Sequence, residues 1–306
     1  MALKTIKNDL INKFVQEVLT QNPSHERFLK TSFDMIKPTS IRSLQSYLEY
    51  CISRDLDIEY LARSYNTITI DMQIEQIYFR RNNKYRCSTF AEVADIVYFD
   101  DDYMRKYMYG LAITSFLWPS HASIHEFFVK TLPKNLNGSY LEVGPGHGYY
   151  FLEALRLCNF KKMIGVDISK TSINLTRDII EYMQVDNKQD YELIEADFLD
   201  LKDNDANYAC IVTGEVLEHV EKPKLFLEKI SSLSSVNTHI YLTTCVNAPA
   251  KDHIYLFRHP SEVEKMAFNC GLSIIDKFYA PYPGLSYEQS MSETLPVNIA
   301  YIMKKR

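Results

Sequence analysis

Glycine is scarce in this chain: nine residues in 306, against an average usage of about 7%. The first is Gly110, so the first third is built without any. Long apolar runs are missing as well. Nowhere do 18 apolar residues follow one another, which excludes an expected transmembrane helix. The six cysteines (51, 87, 158, 210, 245 and 270) form no C-x-x-C pair, which argues against a zinc ribbon and a disulfide framework and fits reduced thiols in the cytoplasm. No run of five like charges occurs, and 34 Lys plus Arg face 39 Asp plus Glu for a net charge of −5. A general nucleic-acid-binding surface is therefore not expected. Repeats and low-complexity tracts are lacking too. What is present, 46% apolar and 24% charged residues, is the composition of an ordinary folded chain. Its length suits about two domains.

The punctuation of the chain changes once. Up to residue 135 the sequence reads as mainly helical. The N-terminus places Leu10, Ile11, Phe14, Val15, Val18 and Leu19 at helical spacing, and Leu44, Tyr47, Leu48 and Cys51 repeat the pattern. Ser88 and Thr89 form a capping signal before AEVADIVYF. The segment NTITIDMQIEQIYF, rich in β-branched and aromatic residues, suits a hairpin or a further helix. Turn-type dipeptides at Leu132-Pro133 and Asn137-Gly138 then mark a boundary near 135. Beyond it, the strands SYLEV, MIGVDI, YELIEAD, YACIVTG and HIYLTTC alternate with helices at about 148–158, 170–184, 222–233 and 260–270. That alternation predicts an α/β fold with a mostly parallel sheet covered on both faces. SIIDKFY and NIAYIMK, with no obvious helix between Ala280 and Pro296, predict an antiparallel edge.

Three of the nine glycines lie in Glu142-Val-Gly144-Pro-Gly146-His147-Gly148, at the exit of the first predicted strand. Glycine there permits a sharp turn and close approach of a ligand, and the helix that follows offers free N–H groups. Asp167, 25 residues after Glu142 and at the end of the second strand, is placed to accept from ribose hydroxyls. Asp197 ends the third strand.

Together these motifs resemble class I S-adenosylmethionine-dependent methyltransferases, whose first motif has the form E/D-x-G-x-G-x-G, here Glu142, Gly144, Gly146 and Gly148. The resemblance covers roughly residues 138–306. It implies a Rossmann-like sheet, S-adenosylmethionine as cofactor, the glycine turn at its amino-acid end, Asp167 on the ribose, Asp197 at the adenine amine and Phe198 beside the adenine.

A second constellation follows the fourth strand in Gly214-Glu215-Val-Leu-Glu218-His219. In a helical turn over 215–219, spacings of i, i+3 and i+4 would put Glu215, Glu218 and His219 on one face. Two carboxylates and an imidazole, with His253 as a fourth ligand from beyond the fifth strand, suit a divalent ion such as Mg²⁺, Mn²⁺, Fe²⁺ or Zn²⁺. The same segment also suits a His219 that merely borders the cofactor or the substrate. The E-x-x-E-H element is similar to that of metal-dependent small-RNA 2′-O-methyltransferases. DHIYLFRHPSEVEKM resembles a segment of ubiquinone-pathway O-methyltransferases, and bacterial 2-oxo-acid C-methyltransferases share the general design.

The expectation is thus a methyltransferase acting on a small metabolite with two neighbouring oxygens, a 2-oxo acid, catechol or vicinal diol. Residues 1–135 would close over the cleft of domain 136–306, and His219 and Glu218 would carry the chemistry. An RNA 2′-O-methyltransferase and a catalytically silent cofactor-binding scaffold are the alternatives, with the acidic balance against the first and the intact acids against the second. His121 and His125, four residues apart, read as a partly buried pair, His147 as a cover for the helix start, and Arg258 and His259 as exposed residues or binders of a substrate carboxylate.

Overall fold

The computed structural model describes residues 8–134, 136–183, 189–202 and 208–306. The expected boundary at 135, the extreme N-terminus before Asn8 and the last residue of the helix expected over 170–184 lie outside the described residues. Among the described residues seven α-helices come first: α1 (Asp9–Gln21), α2 (Glu26–Met35), α3 (Pro38–Ser53), α4 (Ile58–Asn82), the short α5 (Phe90–Val93), α6 (Asp101–Leu117) and α7 (Pro119–Thr131). The strand-prone NTITIDMQIEQIYF is part of α4. Asp57 accepts from the Tyr60 N–H at its start, Asn83 closes it in a left-handed conformation, and Leu61, Tyr65, Ile68 and Phe79 are buried at helical intervals. Packing of that stripe overrides the β-propensity of individual residues. Gly110 is what lets α6 lie so close: a Cβ there would fall 2.3 Å from the Ser64 carbonyl oxygen of α4.

The second part alternates strands and helices: β1 (Ser139–Val143), α8 (Tyr149–Leu157), β2 (Lys162–Asp167), α9 (Lys170–Tyr182), β3 (Asp190–Glu195), β4 (Tyr208–Gly214), α10 (Pro223–Leu233), β5 (His239–Val246), α11 (Pro260–Asn269), β6 (Leu272–Ala280), α12 (Tyr287–Ser292) and β7 (Val297–Lys305). All seven expected strands are present. The loop read as structureless after Ala280 instead holds α12, nucleated by a capping box between Ser286 and Gln289.

Sheet order is β3-β2-β1-β4-β5-β7-β6. The first five strands run parallel, and β7 inserts antiparallel between β5 and β6. Chain order reverses between β1 and β4, and a crevice opens beyond their carboxyl ends. One face of the sheet lies under α10 and α11. On the other, Tyr140, Cys210, Tyr241 and Ala300 join a buried cluster that continues without a break into Phe14, Leu48, Tyr65 and Phe116 of the helical region. The N-terminal helices therefore roof the same crevice that the strand reversal opens.

Candidate active site

A cavity of about 810 Å³ occupies that crevice, reaching from the glycine turn to Phe28, Met72, Met104 and Trp118 of the helical region. Gly144, Gly146 and Gly148 all have positive φ (72°, 56° and 80°), which L-residues with a Cβ adopt at a cost. Their surroundings differ. Gly144 has no room for a Cβ, which would lie 2.8 Å from Val216 of the loop after β4. Gly146 faces the cavity, and a Cβ would make only ordinary contacts, with Met108 Sδ at 3.5 Å and the Gly144 carbonyl oxygen at 3.9 Å. Gly148 is turned away, with its Cβ position 2.7 Å from the Thr176 Cα of α9. It serves helix packing, and of the three glycines of the turn Gly144 and Gly146 line the cavity.

Asp167, at the end of β2, accepts from the Gly146 N–H (3.1 Å) and the Ser169 N–H (2.8 Å), so one carboxylate fixes both the turn and the start of α9. Burial pushes its pKa up to about 6 in spite of these donors. Glu142 is 2% exposed and accepts from the Tyr140 hydroxyl. Burial, aided by the charge of Asp167 and opposed by the Tyr140 hydrogen bond, raises its pKa to about 8. Both carboxylates line the cavity. Asp197 is exposed on the cavity rim, where its carboxylate accepts from the Leu199 N–H (2.8 Å) and starts a tight turn over Phe198–Asp200. Phe198 packs on Phe226 with ring centroids 5.4 Å apart and lines the same pocket.

The loop after β4 departs from the expected helical turn. Glu215 has φ of 51°, and only Leu217–His219 make a short 3-10 turn. The face shared by Glu215, Glu218 and His219 is therefore not formed. Instead, Glu218, His219 and His253 bring one ligand atom each within 4.8 Å of one another, while Glu215 groups with Glu218 and Cys245. Glu215 is engaged by Asn298, whose amide donates to Oε2 (3.1 Å), and its Oε1 is buried with no partner. Burial and the neighbouring Glu218 carboxylate raise its pKa well above the usual range.

Glu218 has no exposed surface and lies just behind the cavity wall. It accepts from the Thr244 hydroxyl (2.7 Å) and the Cys245 thiol (3.8 Å), and its carbonyl accepts from the Ile254 and Tyr255 N–H groups. The two imidazoles are held by their Nδ1 sides. His253 Nδ1 lies 2.6 Å from the Ala248 carbonyl, and His219 Nδ1 lies 3.2 Å from both the carbonyl and the carboxylate of Asp252. Since those groups only accept, Nδ1 is the donor to them in both rings, and Nε2 faces away from them. His219 Nε2 is 3.9 Å from Glu218 Oε1. Burial works against a charge on His219, but Asp252 and Glu218 outweigh it and raise the pKa to about 9. Asp252, although buried, is held well below the usual carboxylate range by His219. Burial and the adjacent His219 lower that of His253.

The sequence does not mark Asp252, Cys245, Thr244 or Tyr98 as site residues, and Tyr107, which with Tyr103 and Tyr109 reads as a core or interface residue, instead turns its hydroxyl to Asp252. The Asp-His pair at 252–253 was the one local signal. His121 and His147 line the cavity, and burial keeps both neutral, with pKa values of about 4 and about 3. His147 Nδ1 accepts from the Tyr149 N–H (3.2 Å) and so covers the start of α8. His125 is packed between Tyr149 and Tyr150. Arg258 donates to the side chain and carbonyl of Asn83 at the end of α4, and neither it nor His259 lines the cavity. A role in binding a substrate carboxylate does not fit that placement.

No curated protein matches the chain. Among solved structures, the mitomycin 7-O-methyltransferase MmcR is similar to it with a TM-score of 0.53 at 12% identity, over 82% of this chain and 71% of that one. A chain from the Haloferax volcanii complex of a methyltransferase activator with a methyltransferase gives 0.51 at 12% identity, over 68% and 98%. At such identities the likeness is one of fold. A family model described as a methyltransferase domain matches residues 119–275, from the start of α7 into β6. That match takes in just over half of the chain, including the glycine turn, the acids ending β2 and β3 and the loop after β4, and so the protein belongs to the methyltransferase-domain family, as an enzyme of the class I S-adenosylmethionine-dependent kind.

Proposed function

We propose that the enzyme methylates a small, oxygen-chelating metabolite with the help of a divalent cation held by Glu218, His219 and His253. The observation that carries this reading is the convergence of one carboxylate and two imidazoles within 4.8 Å, with both Nδ1 sides already spent on fixed acceptors. Metal-binding histidines are oriented in this manner. Such a donor set suits Mn²⁺, Fe²⁺ or Zn²⁺ and leaves coordination positions for substrate oxygens. When bound, the cation would supply Lewis acidity toward a hydroxyl or toward a carbon acid beside a carbonyl. Glu215, which lines the cavity and brings a carboxylate oxygen within 4.8 Å of ligand atoms of Glu218 and Cys245, stands next to the group.

The rest is done by the protein. Gly144 and Gly146 would admit the amino-acid end of S-adenosylmethionine, Asp167 would take the ribose hydroxyls, and Asp197 and Phe198 would frame the adenine. Residues 1–135 would act as the substrate domain. Their apolar side chains, among them Phe28, Met72, Met104 and Trp118, would exclude water and hold the acceptor in line with the sulfonium methyl. A pocket of about 810 Å³, within the usual range of about 300–1,000 Å³ for small-molecule sites, and a net charge of −5 support a small acceptor over an RNA strand.

The test joins elemental analysis of the purified protein with mass spectrometry of 2-oxo acids, catechols and vicinal diols incubated with methyl-labelled cofactor. Expected are a bound divalent metal, loss of product on chelation and its return on metal addition. Full turnover after exhaustive chelation, with no metal found, would refute the cation while leaving the methyltransferase intact.

A further inference from the structure

Two hydroxyl groups of the helical region reach into the candidate centre. Tyr107, on α6, donates to Asp252 Oδ1 (3.2 Å). Tyr98 ends a single π-helical turn, Ala94–Tyr98, that continues α5. Its hydroxyl donates to Asp252 Oδ2 (3.4 Å) and lies 2.9 Å from His219 Nδ1. The segment bearing Tyr98 is tied to the same loop at its other end, where the Phe90 N–H donates to Glu221 Oε1 (2.9 Å). π-Turns of this kind re-aim a side chain and recur at functional sites. Asp252 is 1% exposed, so both of its oxygens depend on protein donors: Tyr107 on one, Tyr98 and His219 on the other.

We propose that Tyr98 and Tyr107 are positioning residues that clamp Asp252 and, through it, fix the Nδ1 side of His219, so that the centre is complete only with the helical region seated on the sheet. The proposal rests on the reading that His219 presents Nε2 to a cation. A ring needed only for packing does not need its hydroxyl, so Phe variants separate the two roles: Tyr107 also stacks on Tyr103, and Tyr98 packs at a tilt against Phe90, contacts that Phe retains. Ligand orientation of this kind is worth about 10–100-fold in metal affinity.

The test uses the full-length protein and Co²⁺ as the probe, with two readouts besides activity: Co²⁺ affinity from its visible absorption, and the hydrogen-bonded Nδ1 proton resonance of His219, assigned by its absence from His219→Gln. Tyr98→Phe is expected to weaken Co²⁺ binding about tenfold or more and to shift or broaden the resonance, with S-adenosylmethionine affinity unchanged. Tyr107→Phe, which frees the oxygen farther from His219, should do less, and the double variant most. Unchanged Co²⁺ affinity together with an unchanged resonance in the double variant overturns the proposal. Wild-type protein that takes up no Co²⁺ overturns the cation reading instead, and the resonance then decides alone: altered in the variants, it upholds the clamp, and unaltered, it removes it. Should Tyr98→Phe fail to fold, Asp252→Asn, which keeps the shape and one acceptor oxygen, must reproduce the loss of Co²⁺ affinity or the proposal falls.

Discussion

The two ends of the cavity are built in opposite ways. At the glycine turn, the shape is a property of the backbone over 142–148, fixed by positive φ at three glycines and one carboxylate, Asp167, from the neighbouring strand. At the other end the shape is a property of side chains: Glu218 and His219 from one loop, His253 and Asp252 from another, Cys245 from β5 and two tyrosines from the helical region. A site made of backbone tolerates changes in neighbouring side chains but not in glycine conformation. A site made of side chains from distant segments depends on every segment that holds them.

The contrast breaks most sharply at Glu218. Replacing it with Gln keeps its size but removes a charge and a ligand, and turnover should fall by about a thousandfold, ~4 kcal/mol in the barrier, with calorimetry showing S-adenosylmethionine affinity unchanged. Equal loss of cofactor affinity would mean the two ends are not separate.

Next comes the buried Glu142. Its folded-state pKa, raised from 4.5 to about 8, means that the folded protein holds a proton the unfolded chain has released across that window. Stability attributable to this group therefore falls as pH rises from about 4.5 to about 8, and stays low above it. Glu142→Gln should accordingly be more stable than the parent at pH 9 by on the order of 3 kcal/mol, with the difference vanishing near pH 4.5. Denaturant unfolding at the two pH values in the absence of cofactor reads it, and a gain independent of pH would exclude the carboxylate as its source.

Smaller effects sharpen the glycine end. Asp167→Asn loses charge-assisted hydrogen bonds and should weaken cofactor binding about tenfold, measured by calorimetry on the folded variant. Gly146→Ala should cost least, about 1 kcal/mol for the left-handed backbone, because its Cβ meets nothing closer than the end of Met108 at 3.5 Å. Gly148→Ala, with backbone 2.7 Å away, should lower thermal stability considerably more. If the two alanine variants melt together, the steric difference between the positions is not what governs them.

How much was legible follows from the same contrast. The strands, the helices between them, the glycine turn and Asp167 follow from patterns within thirty residues of one another, where periodicity and turn chemistry act locally. NTITIDMQIEQIYF could not be decided because its helix is selected by burial against α1 and α6, which a local window does not contain. Glu215 misled for a related reason: i, i+3, i+4 spacing assumes a helix, but the N–H of Glu215 is taken by the Thr243 carbonyl and hydroxyl of the adjoining β5, and the chain leaves the strand in a left-handed turn.

The sequence by itself determined the class of the sheet, the place of the glycine turn and which carboxylates and imidazoles follow the fourth and fifth strands, since each depends on residue type and short-range order. Which of those groups meet was decided only by the tertiary structure. It joined His253 to Glu218 and His219, set Glu215 aside, and brought Tyr98 and Tyr107 onto Asp252 across more than a hundred residues, because side-chain convergence depends on how strands are ordered and helices seated, and no local spacing encodes that.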